Sequence, residues 1–167
     1  DSGTLFLDEV GELTLEGQAK LLRVLEGHPF QPVGDTREIR TDVRVIAATN
    51  LDLRELVETK RFREDLYYRL SVFELSIPPL RERQGDVELL VDLFLQHFNS
   101  QHGRAGLGLS VEARSLLLSY RWPGNVRQLQ NVIDSAVVMA NRDQIQVRDL
   151  GIRRDPEESA MPSLRLD

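Results

Sequence analysis

Apolar residues follow two rhythms along the chain, and the change of rhythm divides it. Up to Pro79, short unbroken runs alternate with stretches of helical period. Gly3-Thr4-Leu5-Phe6-Leu7 leads without period-two alternation into Asp8 and Glu9. Such a run suits a strand covered on both faces, as in parallel α/β sheets. Thr14 is placed to cap a helix reaching about Glu26, with Leu15, Ala19, Leu22 and Leu25 at helical spacing and Gly27 as its stop. Phe30 to Arg40 reads as a hairpin turning at Gly34-Asp35. Val43 to Thr49 is a second apolar run, with β-branched residues, that reads as another central strand and ends at Asn50. Asp52 caps a short helix to about Thr59, and a further helical turn or two occupies Phe62 to Leu70. Val72 to Ile77 reads as a third strand, closed by Pro78-Pro79.

Beyond Pro79 the pattern holds helices only, which predicts a second, smaller subdomain. Gly85-Asp86 precedes a helix from about Val87 to His102, stopped by Gly103. Ser110 caps another from Val111 to Tyr120, and Asn125 opens a third to about Asn141, with Val126, Leu129, Val132, Ile133, Ala136 and Val137 on its buried side. From Arg153 the periodic signal disappears. The expected organisation is a core over residues 1–80, a helical subdomain over 81–152 and a flexible tail or linker over 153–167.

The chain has 167 residues, 41% of them apolar and 29% charged, which are ordinary globular values. A net charge of −6 argues against a surface that clamps nucleic acid throughout, and the basic residues are Arg apart from Lys20 and Lys60. The absence of cysteine excludes disulfides and thiolate metal sites, and fits a cytoplasmic location. No apolar run approaches the roughly 18 to 20 residues that span a bilayer.

Parallel sheets bind ligands at the carboxyl ends of their strands, where Asp8 and Glu9 fall. Acids there suit a nucleotide-bound metal and the activation of a water; a strand running out into a solvated acidic turn is the plainer reading. If the Val43 run lies parallel to the first, Asn50 emerges at the same edge, to orient a water or to cap a helix. Arg63 and Arg69 are six residues apart on the Phe62–Leu70 segment. At about 100° per residue, a helix through the whole segment brings Arg69 almost onto the line of Phe62. The two arginines either meet phosphate or pair within the chain with Glu64, Asp65 or Glu74. Arg127 follows the Trp122-Pro123-Gly124 turn in the first turn of its helix, where the dipole disfavours a cation by roughly 0.3 to 1 kcal/mol. It is therefore either the partner of an anion or an ordinary exposed arginine. His28, His97 and His102 form no interpretable metal-ligand spacing.

The succession GTLFLDEVGEL, LLRVLE, FQPVGDT, IAATN, FREDLYYRL, IPPLRER and YRWPGNVRQL resembles, from Gly3 to Leu150 in unbroken order, the central AAA+ domain of bacterial enhancer-binding proteins. Those proteins are ATPases that activate RNA polymerase carrying sigma-54. The order of these motifs speaks against other AAA+ branches such as helicase loaders or chelatase subunits. The resemblance implies an α/β fold consisting of an incomplete AAA+ P-loop NTPase parallel sheet followed by a small all-helical lid. It also implies ATP and Mg2+ as ligands. Asp8 and Glu9 would be the Walker B pair, for magnesium and for water activation. Thr49 and Asn50 would be the first sensor, with Asn50 reading the γ-phosphate. Arg63 and Arg69 would be arginine fingers reaching the ATP of an adjacent subunit in a homo-oligomeric ring, and Arg127 the second sensor. Phe30 to Arg40 resembles the second surface loop that supports remodelling of the sigma factor.

The chain also departs from that pattern. It has no Gly-x-x-x-x-Gly-Lys-Thr/Ser loop and no Gly-Ala-Phe-Thr-Gly-Ala loop. Both precede the Walker B strand in the family, so a carboxyl-terminal portion of the domain is expected, inactive alone and with strand edges uncovered. No helix-turn-helix is evident after Leu150, so DNA would be reached only through a domain not present. The alternative is an ATPase-deficient AAA+-like interaction module without a P-loop.

Overall fold

A computed structural model of the chain describes residues 3–31, 38–40, 42–83, 85–141 and 143–152. It divides into two compact units, Asp1–Ser76 and Ile77–Asp167.

In the first unit, β1 (Gly3–Leu7) and β2 (Val43–Ala47) pair in parallel, Gly3 opposite Val43 and Leu7 opposite Ala47. Between them lies α1 (Leu15–Leu25), whose N-cap Thr14 accepts from the Gly17 amide and whose chain leaves through Gly27 at φ 74°. A positive φ there suits glycine, which has no Cβ to clash. Phe30 and Ile39 exchange backbone bonds of 3.0 and 2.9 Å as an antiparallel bridge. The expected Gly34-Asp35 turn lies outside the described residues. α2 (Leu53–Glu58) is capped by Asp52, and α3 (Glu64–Leu70) follows. Leu56, Phe62 and Leu66 form the core, with Leu21, Leu22 and Leu25 of α1 against them.

Two expectations change here. β1 is exposed along most of its length rather than covered on both faces, because the helices pack on one another and not over the strands. Val72 to Ile77 forms no strand. A strand exists only by pairing; β1 and β2 use each other, and among the described residues nothing runs beside 72–77. Phe73 and Leu75 are each 91% exposed as a result.

The second unit packs α4 (Asp86–Gln101), α5 (Val111–Ser119) and α6 (Asn125–Met139) around Val91, Phe98, Leu117, Trp122, Leu129 and Ile133. Ser110 caps α5 by accepting from the Ala113 amide. Apolar spacing missed a two-residue parallel ladder between β3 (Gly108–Leu109) and β4 (Gln144–Ile145). Leu129, Ile133, Ala136 and Val137 are buried as α6 periodicity predicts, while Val126 is exposed in the first turn. The expected tail beyond Ile152 lies outside the described residues. No helix among the described residues is long and apolar enough to cross a membrane.

Candidate active site

The parallel register carries both strands to one edge, and the backbone keeps them together beyond it. Leu7 O accepts the Ala48 amide at 2.8 Å, and Ala48 O accepts the Val10 amide at 2.9 Å. Asp8 and Glu9 are therefore held opposite Ala48, Thr49 and Asn50. Between these bonds Glu9 takes a left-handed conformation, φ 52° and ψ 41°. Its amide donates to Asp8 Oδ1 at 3.0 Å. A non-glycine residue held in that region is sparsely populated and clusters at functional sites. Val10 and Gly11, next along, are buried and anchor the turn. A Cβ on Gly11 would lie 2.8 Å from Thr49 Oγ1, so glycine is required for the two segments to approach. The Thr49 hydroxyl accepts the Leu51 amide at 3.1 Å.

Asn50 is exposed and does not cap α2. That task falls to Asp52, whose Oδ1 accepts the Arg54 and Glu55 amides at 2.8 and 3.3 Å. The local explanation for an amide at position 50 is thus already supplied by another residue. Asp8 and Glu9 are also exposed. Among the described residues no group of three or more His, Cys, Asp or Glu side chains could enclose a metal ion. One or two carboxylates at a strand edge are a poor cage for Ca2+ or Zn2+. They fit Mg2+, which keeps waters and takes the rest of its ligands from phosphates.

Arg63 and Arg69 lie on the same unit but not as the helical projection predicts. α3 begins at Glu64, with Arg63 as its N-cap, so Phe62 precedes the helix and the wheel linking it to Arg69 does not apply. Phe62 is buried by the bend before the helix, and Arg69 is exposed. Arg63 pairs with Asp65, Nε to Oδ1 at 3.0 Å and Nη2 to Oδ2 at 2.7 Å. The Arg63 guanidinium holds the Asp65 carboxyl below its ordinary value, and Asp65 raises the arginine in turn. Arg69 Nη2 donates to Leu25 O at 3.1 Å, a carbonyl at the end of α1. Both arginines therefore have intrachain partners: Asp65 is one of those the plainer sequence reading named for the pair, whereas the Leu25 carbonyl is not. Both are also at the surface, where water and salt screen such pairs. A shallow groove of about 410 Å3, lined by Leu22, Glu26, Asp65, Tyr68 and Arg69, opens beside them.

In the second unit, Arg127 occupies the first turn of α6 and is exposed, in a turn with no acidic residue. The helix start is fixed by a strained turn in which Trp122 and Asn125 have φ of 52° and 50°. Trp122 is buried with its Nε1 donating to Leu117 O at 2.9 Å, and Asn125 Oδ1 accepts the Leu80 amide at 2.8 Å.

Sequence reasoning missed Gln18, the fully buried polar residue of α1, and the close approach of Gly11 to Thr49. Gln18 had a legible signal: it stands on the apolar stripe between Leu15 and Leu22, where an amide must find partners.

A parallel strand pair that delivers two carboxylates and an amide to one edge, followed by a helical lid, defines a portion of an AAA+ ATPase fold. The chain belongs to the Sigma-54 interaction domain family over residues 1–76 and to the AAA+ ATPase lid domain family over residues 81–163. It is 48% identical over 160 residues to the alginate biosynthesis transcriptional regulatory protein AlgB of Pseudomonas putida, covering 96% of this chain and 36% of AlgB. It is 60% identical over 140 residues to the anaerobic nitric oxide reductase transcription regulator NorR of Citrobacter koseri, covering 84% of this chain and 28% of NorR. NtrX from Brucella abortus in complex with ADP superposes with a TM-score of 0.82 at 33% identity, covering 94% of this chain and 38% of NtrX. Its complex with ATP gives 0.81 at 35% identity, covering 88% and 35%. The chain thus spans about a third of the length of these relatives, of which AlgB and NorR are transcription regulators.

Proposed function

We propose that these residues are the hydrolytic and subunit-sensing portion of an ATPase that remodels RNA polymerase carrying sigma-54. They would act within a longer, cytoplasmic, ring-forming activator that reaches DNA through another domain. Residues 1–80 serve as the partial core and 81–152 as the lid. One observation carries the reading: the register that places Asp8, Glu9, Thr49 and Asn50 at one strand edge. The family match over residues 1–76 supports the sigma-54 partner.

In this reading Asp8 holds Mg2+, which when bound offsets charge on the phosphates. Glu9 takes the proton of a water whose oxygen attacks the γ-phosphorus, while the bond to the β–γ bridging oxygen breaks and ADP and phosphate leave. Thr49 keeps the Asn50 segment in place, and Asn50 orients the water or the γ-phosphate. Arg63 and Arg69 act on the ATP of the adjacent subunit, exchanging weak surface partners for a polyphosphate. A guanidinium there is worth about 10³ to 10⁵ in rate. Arg127 is offered to phosphate from the lid, and an anion at that helix start is favoured by the dipole that disfavours the arginine alone.

The test is Glu9→Ala in the full-length protein. ATP affinity is expected to stay within about threefold while turnover falls by at least about 10², the usual share of a general base. Unchanged turnover removes Glu9 from this role, and the same result for Asp8→Ala removes Asp8; a full-length protein with no ATP turnover before any substitution supports a non-hydrolysing interaction module instead.

A further inference from the structure

Gln18 is 0% exposed, and its amide is engaged on both ends. Nε2 donates to Leu13 O at 2.8 Å and to Arg61 O at 3.0 Å, and Oε1 accepts the Arg63 amide at 2.9 Å. Both donor hydrogens are used and one acceptor position is filled. Two of the bonds cross to a segment 43 and 45 residues away in sequence and bracket Phe62, itself only 2% exposed. The bend before α3 is therefore gripped from three sides: a carbonyl at 61, a buried ring at 62 and an amide at 63. Arg63 is the N-cap residue of α3 but makes no side-chain capping bond, and its backbone is extended, φ −76° and ψ 132°. The point from which its side chain departs is set by the Gln18 amide and not by its own capping. An apolar residue would satisfy the stripe of α1 equally well, since leucine flanks the position on both sides. A buried amide earns its place only through directional bonds.

We propose that Gln18 is a positioning residue for Arg63: by fixing the backbone at residues 61–63, it sets where the guanidinium is presented to the nucleotide of a neighbouring subunit. This rests on the trans-acting role proposed for Arg63 above. Gln18 touches no nucleotide itself, so its loss should spare the nucleotide site of the protomer that carries the change and impair the neighbour's.

That asymmetry supplies the test. In full-length protein, Gln18→Met keeps the length of the side chain and removes all three bonds. The expected kcat falls by about 10 to 100-fold, the scale of a misplacement near 1 Å. Affinity for a fluorescent ATP analogue should change less than about twofold, because binding in the protomer's own site does not use its own Arg63. Mixed assemblies then separate positioning from general damage. Glu9→Ala subunits have a disabled site and an intact Arg63, while Gln18→Met subunits have the reverse. Mixing them should restore ATP turnover well above either variant alone, as should mixing Glu9→Ala with Arg63→Ala. If the Arg63→Ala mixture recovers and the Gln18→Met mixture does not, the positioning role is overturned and the trans role of Arg63 stands. If neither recovers, the trans role fails and the proposal with it. Wild-type turnover by Gln18→Met alone also overturns it. Should Gln18→Met not fold, Gln18→Leu, which also removes all three bonds, enters the same mixtures and is decided by the same results.

Discussion

Glu9 shows how a single residue ties the backbone of this site to its chemistry. Its left-handed conformation is held by the Leu7–Ala48 bond on one side and, on the other, by the Ala48–Val10 bond and the buried Val10-Gly11 pair. Gly11 is the most sensitive neighbour. Gly11→Ala would drive a Cβ to 2.8 Å from Thr49 Oγ1, and one side must move. The expected outcome is a loss of about 1 to 3 kcal/mol, the usual scale of overpacking, read from denaturant unfolding, with reduced turnover in the full-length protein. An unchanged midpoint would show that the approach is slack. The Arg63–Asp65 pair has a defined pH response. Asp65 has its folded-state pKa depressed, first by the hydrogen bond from Arg63. Its contribution is therefore complete above the unfolded value and is lost as pH falls through the folded one. Asp65→Asn is expected to change stability at neutral pH and to leave it unchanged in strong acid, where the native carboxyl is protonated too. A difference between the two proteins that persists in strong acid would contradict this.

Among the elements, the second unit depends on Trp122. The side chain is fully buried, bonded to Leu117 O and carried on a positive φ that starts α6. Trp122→Ala is expected to cost about 3 to 5 kcal/mol, measured as a shift in denaturant midpoint. A loss below about 1 kcal/mol would mean that the core collapses around the gap. Helices were legible because caps and period agree locally: Thr14, Asp52 and Ser110 each accept the amide that the sequence assigns them. The edge shared by Asp8, Glu9 and Asn50 was legible as well, since two largely apolar runs joined through a helix favour a parallel pair. Val72 to Ile77 was not. Its composition suits a strand, but pairing is non-local and its partner is not written in its own residues. Arg69 departs from the helical projection for a related reason: that projection requires a helix through Phe62, whereas the helix starts only after the bend that Gln18 holds.

For the whole molecule, the exposed apolar surface is the dominant fact. Phe6, Val72, Phe73, Leu75 and Ile77 are all well exposed, and β1 is uncovered along most of its length. Surface of this kind marks an interface or an aggregation liability. The isolated 167 residues are expected to bind a hydrophobic dye, to associate at micromolar concentration and to show no ATP turnover. A monodisperse, dye-negative and hydrolytically active preparation would contradict that. The central claim is that one strand edge receives a triphosphate and that guanidinium groups reach it from the next subunit. It is tested most directly by a cryo-electron microscopy map of the full-length assembly with a non-hydrolysable ATP analogue. The γ-phosphate is expected beside Glu9 and Asn50, with the Asn50 amide within about 3 to 3.5 Å of it or of an intervening water. Arg63 or Arg69 of the adjacent subunit should lie on its other side. A triphosphate bound away from positions 8, 9 and 50, or both arginines still held by Asp65 and Leu25 of their own chain, would contradict it.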